Sequence, residues 1–242
     1  MLFGSGLLAR AFSPTFSQIG NACIYAAGVS NSGCSDRDEF ERERQRLSDA
    51  LQHEIAVDVF VYFGTCSIGD MDPYNTPYVQ HKMAMEQLVF AHPRHLVLRL
   101  PQVAGRTPNP HTLLNYLYAR ISRSESFSLW GKAKRNIIDV DDIAVVTKHL
   151  IADDSMRNIV LNVANPINYP MIDIVSAMEA VTGKLGIYDV LERGSEYQID
   201  TSALLPVFDK VGINFEDGYL ERVITKYYKS CQGKLCTTPV HT

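Results

Sequence analysis

The sequence predicts an α/β protein built on a parallel sheet with crossover helices. Short, β-rich apolar runs alternate with helical patterns in the order strand, helix, strand, helix. Parallel neighbours need a crossover of a dozen or more residues, which the intervening helices supply. A chain of 242 residues with 46% hydrophobic content suits one large domain, or a domain with a small appended lobe.

The elements follow in chain order. Residues 1–3 form an apolar stub, followed by Gly4-Ser5-Gly6-Leu7-Leu8-Ala9. Residues 22–29 read as a buried strand that runs into a small-residue turn, Ala26-Ala27-Gly28. Residues 36–54 are charged, with Phe40, Leu47 and Leu51 at helical spacing. Within them, residues 41–46 alternate acid and base and read as a solvated helix face. Residues 57–63 are β-rich. Residues 78–91 are helical, with Val79, Met83 and Leu88 near one face, and 95–100 form a short strand closed by Pro101. In the second half, 112–121 read as a helix, 136–140 as a short extended piece and 141–151 as a helix with Asp142 near its start. Residues 158–164 then read as a strand, 171–182 as a helix and 219–229 as a closing helix, with turn-rich 194–215 before it. The lobe boundary is placed near residue 105. Residues 1–105 form the sheet domain, with segments from about 136–165. Residues 106–230 form mainly a small C-terminal lobe, and 231–242 a flexible tail.

The bulk properties exclude several classes. The formal net charge is −4 and no Lys/Arg block occurs, which argues against nucleic-acid binding. No run approaches the ~18–20 apolar residues of a membrane span, and no signal-peptide pattern opens the chain. The cysteines Cys23, Cys34, Cys66, Cys231 and Cys236 are odd in number and scattered, as expected of reduced thiols in the cytoplasm. Cys231 and Cys236 do not have a usual zinc spacing, so no metal is expected.

Two patterns carry chemistry. The turn Gly4-x-Gly6-x-x-Ala9 opens a helix after an apolar stub. Glycines there let the backbone approach a pyrophosphate, and a helix N-terminus offers free N–H groups. The sheet is therefore Rossmann-like. The acidic residue usual about 20 positions later has no clear counterpart, and only one helix fits between Ala9 and Ala22. A strand–helix–strand section is missing, and the sheet is predicted to be shortened at its cofactor end.

The second pattern is Tyr78 and Lys82, one helical turn apart on one face. An ammonium near a phenol favours the phenolate, and such a tyrosine can exchange a proton with an alcohol. Upstream, Gly64-Thr65-Cys66-Ser67 follows a strand, where sheet active sites form. A hydroxyl at Thr65 can hold a substrate oxygen opposite the tyrosine, or can serve as a turn or helix cap.

These features together resemble the extended short-chain dehydrogenase/reductases. Besides the glycine turn, Ala26-Ala27-Gly28 and Thr65, the chain shows Tyr78-Val-Gln-His-Lys82, Arg99-Leu-Pro-Gln-Val-Ala-Gly105 and Asn136-Ile-Ile-Asp-Val-Asp-Asp142 in the family's order. That family includes the NAD-dependent epimerase/dehydratases of nucleotide sugars, and the likeness spans roughly residues 1–230. The resemblance implies NAD or NADP bound by Gly4, Ser5, Gly6, Leu7, Leu8, Ala26, Ala27, Gly28, Tyr78 and Lys82. Thr65, Tyr78 and Lys82 would be catalytic, with Cys66, Ser67 and Gln102 toward the substrate and Asp139 and Asp142 bracing the structure. Sugar dehydratases carry Asp-Glu where this chain has Cys66 and Ser67. The implied activity is thus a nucleotide-sugar epimerase or ketoreductase. Cys66 is either a proton-transfer group or a small buried thiol. The alternative function is a non-catalytic nucleotide-binding sensor or scaffold with a degenerate cofactor site. The resemblance also implies a homodimer formed through helices 36–54 and 78–91.

Overall fold

The structure is a computed structural model and describes residues 1–69, 76–216 and 218–229. The first half runs β1 (Leu2–Phe3), α1 (Leu7–Phe12), β2 (Ala22–Tyr25), α2 (Arg37–His53), β3 (Val59–Thr65), α3 (Pro77–Val89) and β4 (His95–Leu100). The second half runs β5 (Gln102–Ala104), α4 (Leu113–Ser122), β6 (Ser126–Trp130), β7 (Lys134–Asp139), α5 (Val140–Ile151) and β8 (Ile159–Asn162). It closes with β9 (Asn168–Pro170), α6 (Met171–Thr182), β10 (Ile187–Leu191), α7 (Leu205–Lys210) and α8 (Tyr219–Tyr228).

The main sheet has five parallel strands in the order β1-β2-β3-β4-β8. β1 is its outer strand, and only α1 and a 3-10 segment, Ser13–Gln18, lie between β1 and β2. The shortening read from the sequence is therefore real: the sheet stops at the glycine-turn strand.

β3 is buried along all seven residues, as a central parallel strand must be. Its pleat divides the core. Val59, Val61 and Phe63 join Ile24, Leu96 and Leu98 on one side, where Phe12 of α1 and Ile143, Val146 and Leu150 of α5 cover them. Phe60 and Tyr62 face the other way, against Tyr25, Leu47 and Ala50 of α2 and Met85 and Val89 of α3. Gly64 interrupts the apolar run for a steric reason: the Glu86 carboxylate occupies the space its side chain would fill. Arg99 grips that carboxylate in two hydrogen bonds of 3.0 and 2.7 Å.

The second half builds a smaller assembly on the C-terminal side of the sheet. It contains the three-stranded set β5-β7-β9 and the parallel pair β6 and β10, with α4, α6 and α8 packed around them. Several of these elements go beyond the expectation: β5, β6, β9 and β10 were not anticipated, and α7 lies inside the stretch read as turns. A second correction concerns α2. Its 41–46 segment is not wholly a solvated face, because Glu43 is completely buried.

The residues expected to brace the structure do so. Asp139 caps α5 by accepting from the Asp141 N–H at 2.9 Å, and it pairs with Lys226 of α8 at 2.6 Å. Asp142 accepts from the Tyr219 hydroxyl at 2.7 Å. Among the described residues, no helix is long and apolar enough to cross a membrane, and no cluster of His, Cys, Asp and Glu could hold a metal. Residues 231–242, with Cys231 and Cys236, lie outside the described residues.

Candidate active site

The C-terminal ends of β2, β3 and β4 lie side by side, since Tyr25 pairs with Tyr62 and Thr65 with Leu100. Each strand therefore delivers its turn to the same edge. These turns and the glycine turn after β1 enclose a cavity of about 780 Å³, within the usual range of ligand pockets. Ser5, Gly6, Leu7, Leu8 and Arg10 line it beside the glycine turn, and Thr65, Ser67, Tyr78 and Lys82 come from β3, its turn and α3; Gln102, Asn109, His111 and Arg135 also line it.

The glycine turn is shaped by contact between two strand ends. Gly4 has φ +115°, and a Cβ there would enter the Ala26 carbonyl. The residue thus permits the β1 and β2 turns to touch, but Gly4 itself does not line the cavity, and neither does Ala27. At Gly6 an added Cβ would meet open space. Gly6 is the N-cap residue of α1 and caps it without a side chain.

Tyr78 is set by the start of α3. The Thr76 hydroxyl caps that helix by accepting from the Val79 N–H at 3.3 Å, and Pro77 occupies its first turn. This places the Tyr78 phenol near the end of β3, where the Thr65 hydroxyl acts on it. Thr65 Oγ1 also accepts from the Ser67 N–H at 3.2 Å, so it both closes the turn and faces the phenol.

The expected electrostatics need a correction. Burial pushes the Tyr78 phenol above its ordinary value, Lys82 and the Thr65 hydroxyl pull it down, and Glu43 pushes it up again. The net direction is up, so the resting side chain is a neutral phenol. Cys66 also departs from one of its two readings. It is buried away from the cavity wall, and burial pushes its thiol up to about 12, so it has neither access nor acidity for proton transfer.

Sequence reasoning missed the partner of Lys82. The Lys82 ammonium donates to Glu43 Oε1 at 3.0 Å and to the Tyr62 hydroxyl at 3.3 Å, and it stands 5.4 Å from the Tyr62 ring centroid. Burial pushes the Glu43 carboxyl up, but Lys82, the His81 hydrogen bond and the Val29 N–H together hold it at about 2. His81 is buried and part of this network, 2.9 Å from Glu43 Oε2. Tyr116 packs edge-on to Phe127, Tyr118 tilts against Tyr228, and neither they nor Trp130 line the cavity.

Comparison with known proteins places these features in context. A family profile described as NAD dependent epimerase/dehydratase family matches residues 21–164. No curated protein sequence matches significantly. Among solved structures, the UDP-glucuronic acid 4-epimerase of Bacillus cereus, determined with UDP-glucuronic acid and NAD, superposes with a TM-score of 0.71 at 16% identity, over 91% of this chain and 76% of that one. The Bordetella bronchiseptica enzyme WbmH with NAD+ gives a TM-score of 0.66 at 17% identity, over 91% and 78%. The UDP-glucose 4-epimerase of Thermus thermophilus with NAD gives 0.63 at 15% identity, over 93% and 81%. At these identities the superpositions establish the fold.

Proposed function

The chain belongs to the NAD dependent epimerase/dehydratase family, and on that footing we propose that it is an NAD(P)-dependent nucleotide-sugar epimerase or ketoreductase. Thr65, Tyr78 and Lys82 are its catalytic side chains. One observation carries this reading: Thr65, at the end of β3, and Tyr78 and Lys82, one helical turn apart on α3, line the same cavity. The structural relatives named above support it, since they were determined with NAD and one of them with a UDP-sugar.

The residues fit a nicotinamide cofactor on one side of the cavity. Ser5, Gly6, Leu7 and Leu8 offer backbone to a phosphate group, and Ala26, Gly28, Tyr78 and Lys82 form the wall for a ribose and ring. Gly4 acts by holding the turn, and Ala27 by continuing it. The fit is poorer at the adenosine end. β1 is the outer strand, and the first acidic residue in the chain is Asp36, whose carboxylate is spent capping α2.

When bound, the dinucleotide supplies a hydride acceptor and donor. In the oxidative direction the phenol first releases its own proton to solvent; as the phenolate, Tyr78 then accepts the proton of a sugar hydroxyl while that carbon is oxidised to a carbonyl, and as the phenol it returns a proton when the carbonyl is reduced. As a neutral phenol at rest, Tyr78 is already in the form that donates. Thr65 holds the sugar oxygen opposite the phenol, and Lys82 favours the phenolate whenever Tyr78 gives up its proton. Ser67 and Gln102 reach the cavity beside these groups and orient the substrate. Cys66 backs the turn.

We place the enzyme in the cytoplasm, where Cys23, Cys34 and Cys66 stay as the free thiols seen here. We further propose a homodimer through α2 and α3, which leave Phe40, Met83 and Leu88 half-buried on that side. A monomer in sedimentation at micromolar concentration overturns the dimer.

The function is tested by titrating the purified chain with NADH and NADPH, followed by nucleotide fluorescence, and then by assaying Tyr78→Phe on UDP-sugars. Binding, with turnover lost by roughly 10²–10⁴-fold and folding intact, is the expected result. An unchanged rate removes Tyr78 from its role. Absence of any NAD(P)H binding favours the non-catalytic scaffold.

A further inference from the structure

Beneath the cavity floor, on the side of the sheet covered by α2 and α3, lies a buried charge cluster. Glu43 reaches into it from α2 and is 0% exposed. Its Oε1 accepts from Lys82 Nζ at 3.0 Å and from the Tyr62 hydroxyl at 3.1 Å. Its Oε2 accepts from the Val29 N–H at 2.6 Å and lies 2.9 Å from His81 Nε2, while the His81 ring stacks on Phe40 with centroids 4.3 Å apart. Gly28 lies directly above: a Cβ there would stand 2.5 Å from Lys82 Nζ and 2.8 Å from Glu43 Oε1. Gly28 and Lys82 both line the cavity, so the ion pair lies at its floor, with no side chain at Gly28 to cover it.

We propose that Glu43 is a positioning residue that pins the Lys82 ammonium against the Gly28 turn and sets how much of its positive charge reaches Tyr78. The proposal rests on the roles of Tyr78 and Lys82 argued above.

The hydrogen-bond geometry fixes the charge state of Glu43. The Val29 amide and the Lys82 ammonium can only donate, and they address opposite oxygens of the carboxylate. A protonated acid would set an O–H against one of those donors. The carboxylate is therefore anionic and acts as an immobile anchor. A lysine is a point charge on a flexible four-carbon stem. Held by Glu43 and Tyr62, it is fixed before any ligand arrives, which is the preorganisation a proton-transfer site needs.

The same anchor moderates Tyr78. The groups that act on the phenol are Lys82 from its own helix, Thr65 from β3, Glu43 from α2 and Cys66 from the turn after β3. Tyr62 and His81 complete the cluster around Glu43. Lys82 favours the phenolate, and Glu43 opposes it. A ligand hydroxyl entering beside Gly28 competes with Glu43 for the ammonium and so shifts this balance when the site fills.

The test uses the full chain labelled with ¹³C at the tyrosine Cζ, with Tyr78→Phe identifying the Tyr78 resonance. The resonance is followed from pH 7 to the alkaline limit of folding, without cofactor or substrate. In Glu43→Gln the Tyr78 ionisation should move down by about one pH unit, a roughly tenfold change in phenolate fraction at fixed pH. A folded Glu43→Gln whose Tyr78 resonance titrates as in the parent, or at higher pH, overturns the proposal. Should Glu43→Gln fail to fold, Gly28→Ala presses on the pair from the cavity side without changing a titratable group. Its Tyr78 titration should move, and an unmoved one overturns the proposal equally. The two readings fail separately: no NAD(P)H binding sinks the enzyme and leaves this titration valid, whereas an unmoved Tyr78 sinks only the role of Glu43.

Discussion

Lys82 Nζ and Glu43 Oε1 meet at 3.0 Å with side chains 4% and 0% exposed, so the site lysine is neutralised from inside the protein. Such a pair adds little net stability, because both ions lose their hydration, but removing one partner strands the other.

The first expectation follows. Lys82→Met removes the ammonium and leaves Glu43 buried with its charge unmatched. Stability at pH 7 should fall by about 3–5 kcal/mol, read as a lower urea midpoint at unchanged slope. Lys82→Met combined with Glu43→Gln should recover a large part of the loss, because no buried charge then remains. A double variant no more stable than the single one would show that the carboxylate was not the source of the cost.

A pH dependence comes from the same carboxyl. Glu43 is held at about 2 in the folded chain against an ordinary 4.5. A depressed carboxyl contributes stability that is fully present above its unfolded value and is lost as pH falls through the folded one. Urea midpoints should therefore drop between about pH 4.5 and 2. In Glu43→Gln this segment of the acid slope should flatten. A parent profile level over that interval would show that the cluster does not hold Glu43 ionised.

Gly4 supplies a purely steric prediction. Its φ of +115° disfavours any side chain, and the Ala26 carbonyl already fills the Cβ position. Gly4→Ala should cost about 1–3 kcal/mol in backbone strain and should separate the β1 and β2 turns. Thermal unfolding checks the first effect and NADH fluorescence titration the second. A variant as stable as the parent would mean that the two turns can part freely.

How much of this was legible in the sequence depends on where each signal sits. That Thr65, Tyr78 and Lys82 converge on one cavity could be read, because Thr65 follows a β-rich run and the other two lie one helical turn apart. The shortened sheet could be counted, since residues 4–21 leave room for one helix and no additional strand. Glu43 was masked by its neighbours: Glu41, Arg42, Arg44 and Arg46 make the segment look solvated. Yet Glu43 lies three residues after Phe40 and four before Leu47, on the apolar face of α2, and an acid there needs a buried cation. β6 carried its own sign, since Ser-Phe-Ser-Leu-Trp alternates and its buried positions are Phe127 and Leu129. β5 and β9 are three residues each, too short for any periodicity to show. The net rise of the Tyr78 phenol could not be read at all, because burial is set by the whole fold.

Tyr219 offers a test that the Asp139–Asp142 segment braces the fold and does not serve the reaction. Its hydroxyl accepts from the Asp139 N–H at 2.9 Å and donates to Asp142 Oδ2 at 2.7 Å, tying α8 to the start of α5. Burial raises the Asp142 carboxyl, and the Tyr219 hydrogen bond works against that rise. Tyr219→Phe leaves a buried N–H without its acceptor, which should cost about 1–3 kcal/mol. It also removes the hydrogen bond that favours ionised Asp142, so the loss should be greatest where Asp142 is charged and should shrink as pH falls. Tyr219 does not line the main cavity, so NADH affinity should stay within about twofold, or ~0.4 kcal/mol. A variant with parental stability but weakened NADH binding would reverse the assignment and move this segment into the active site.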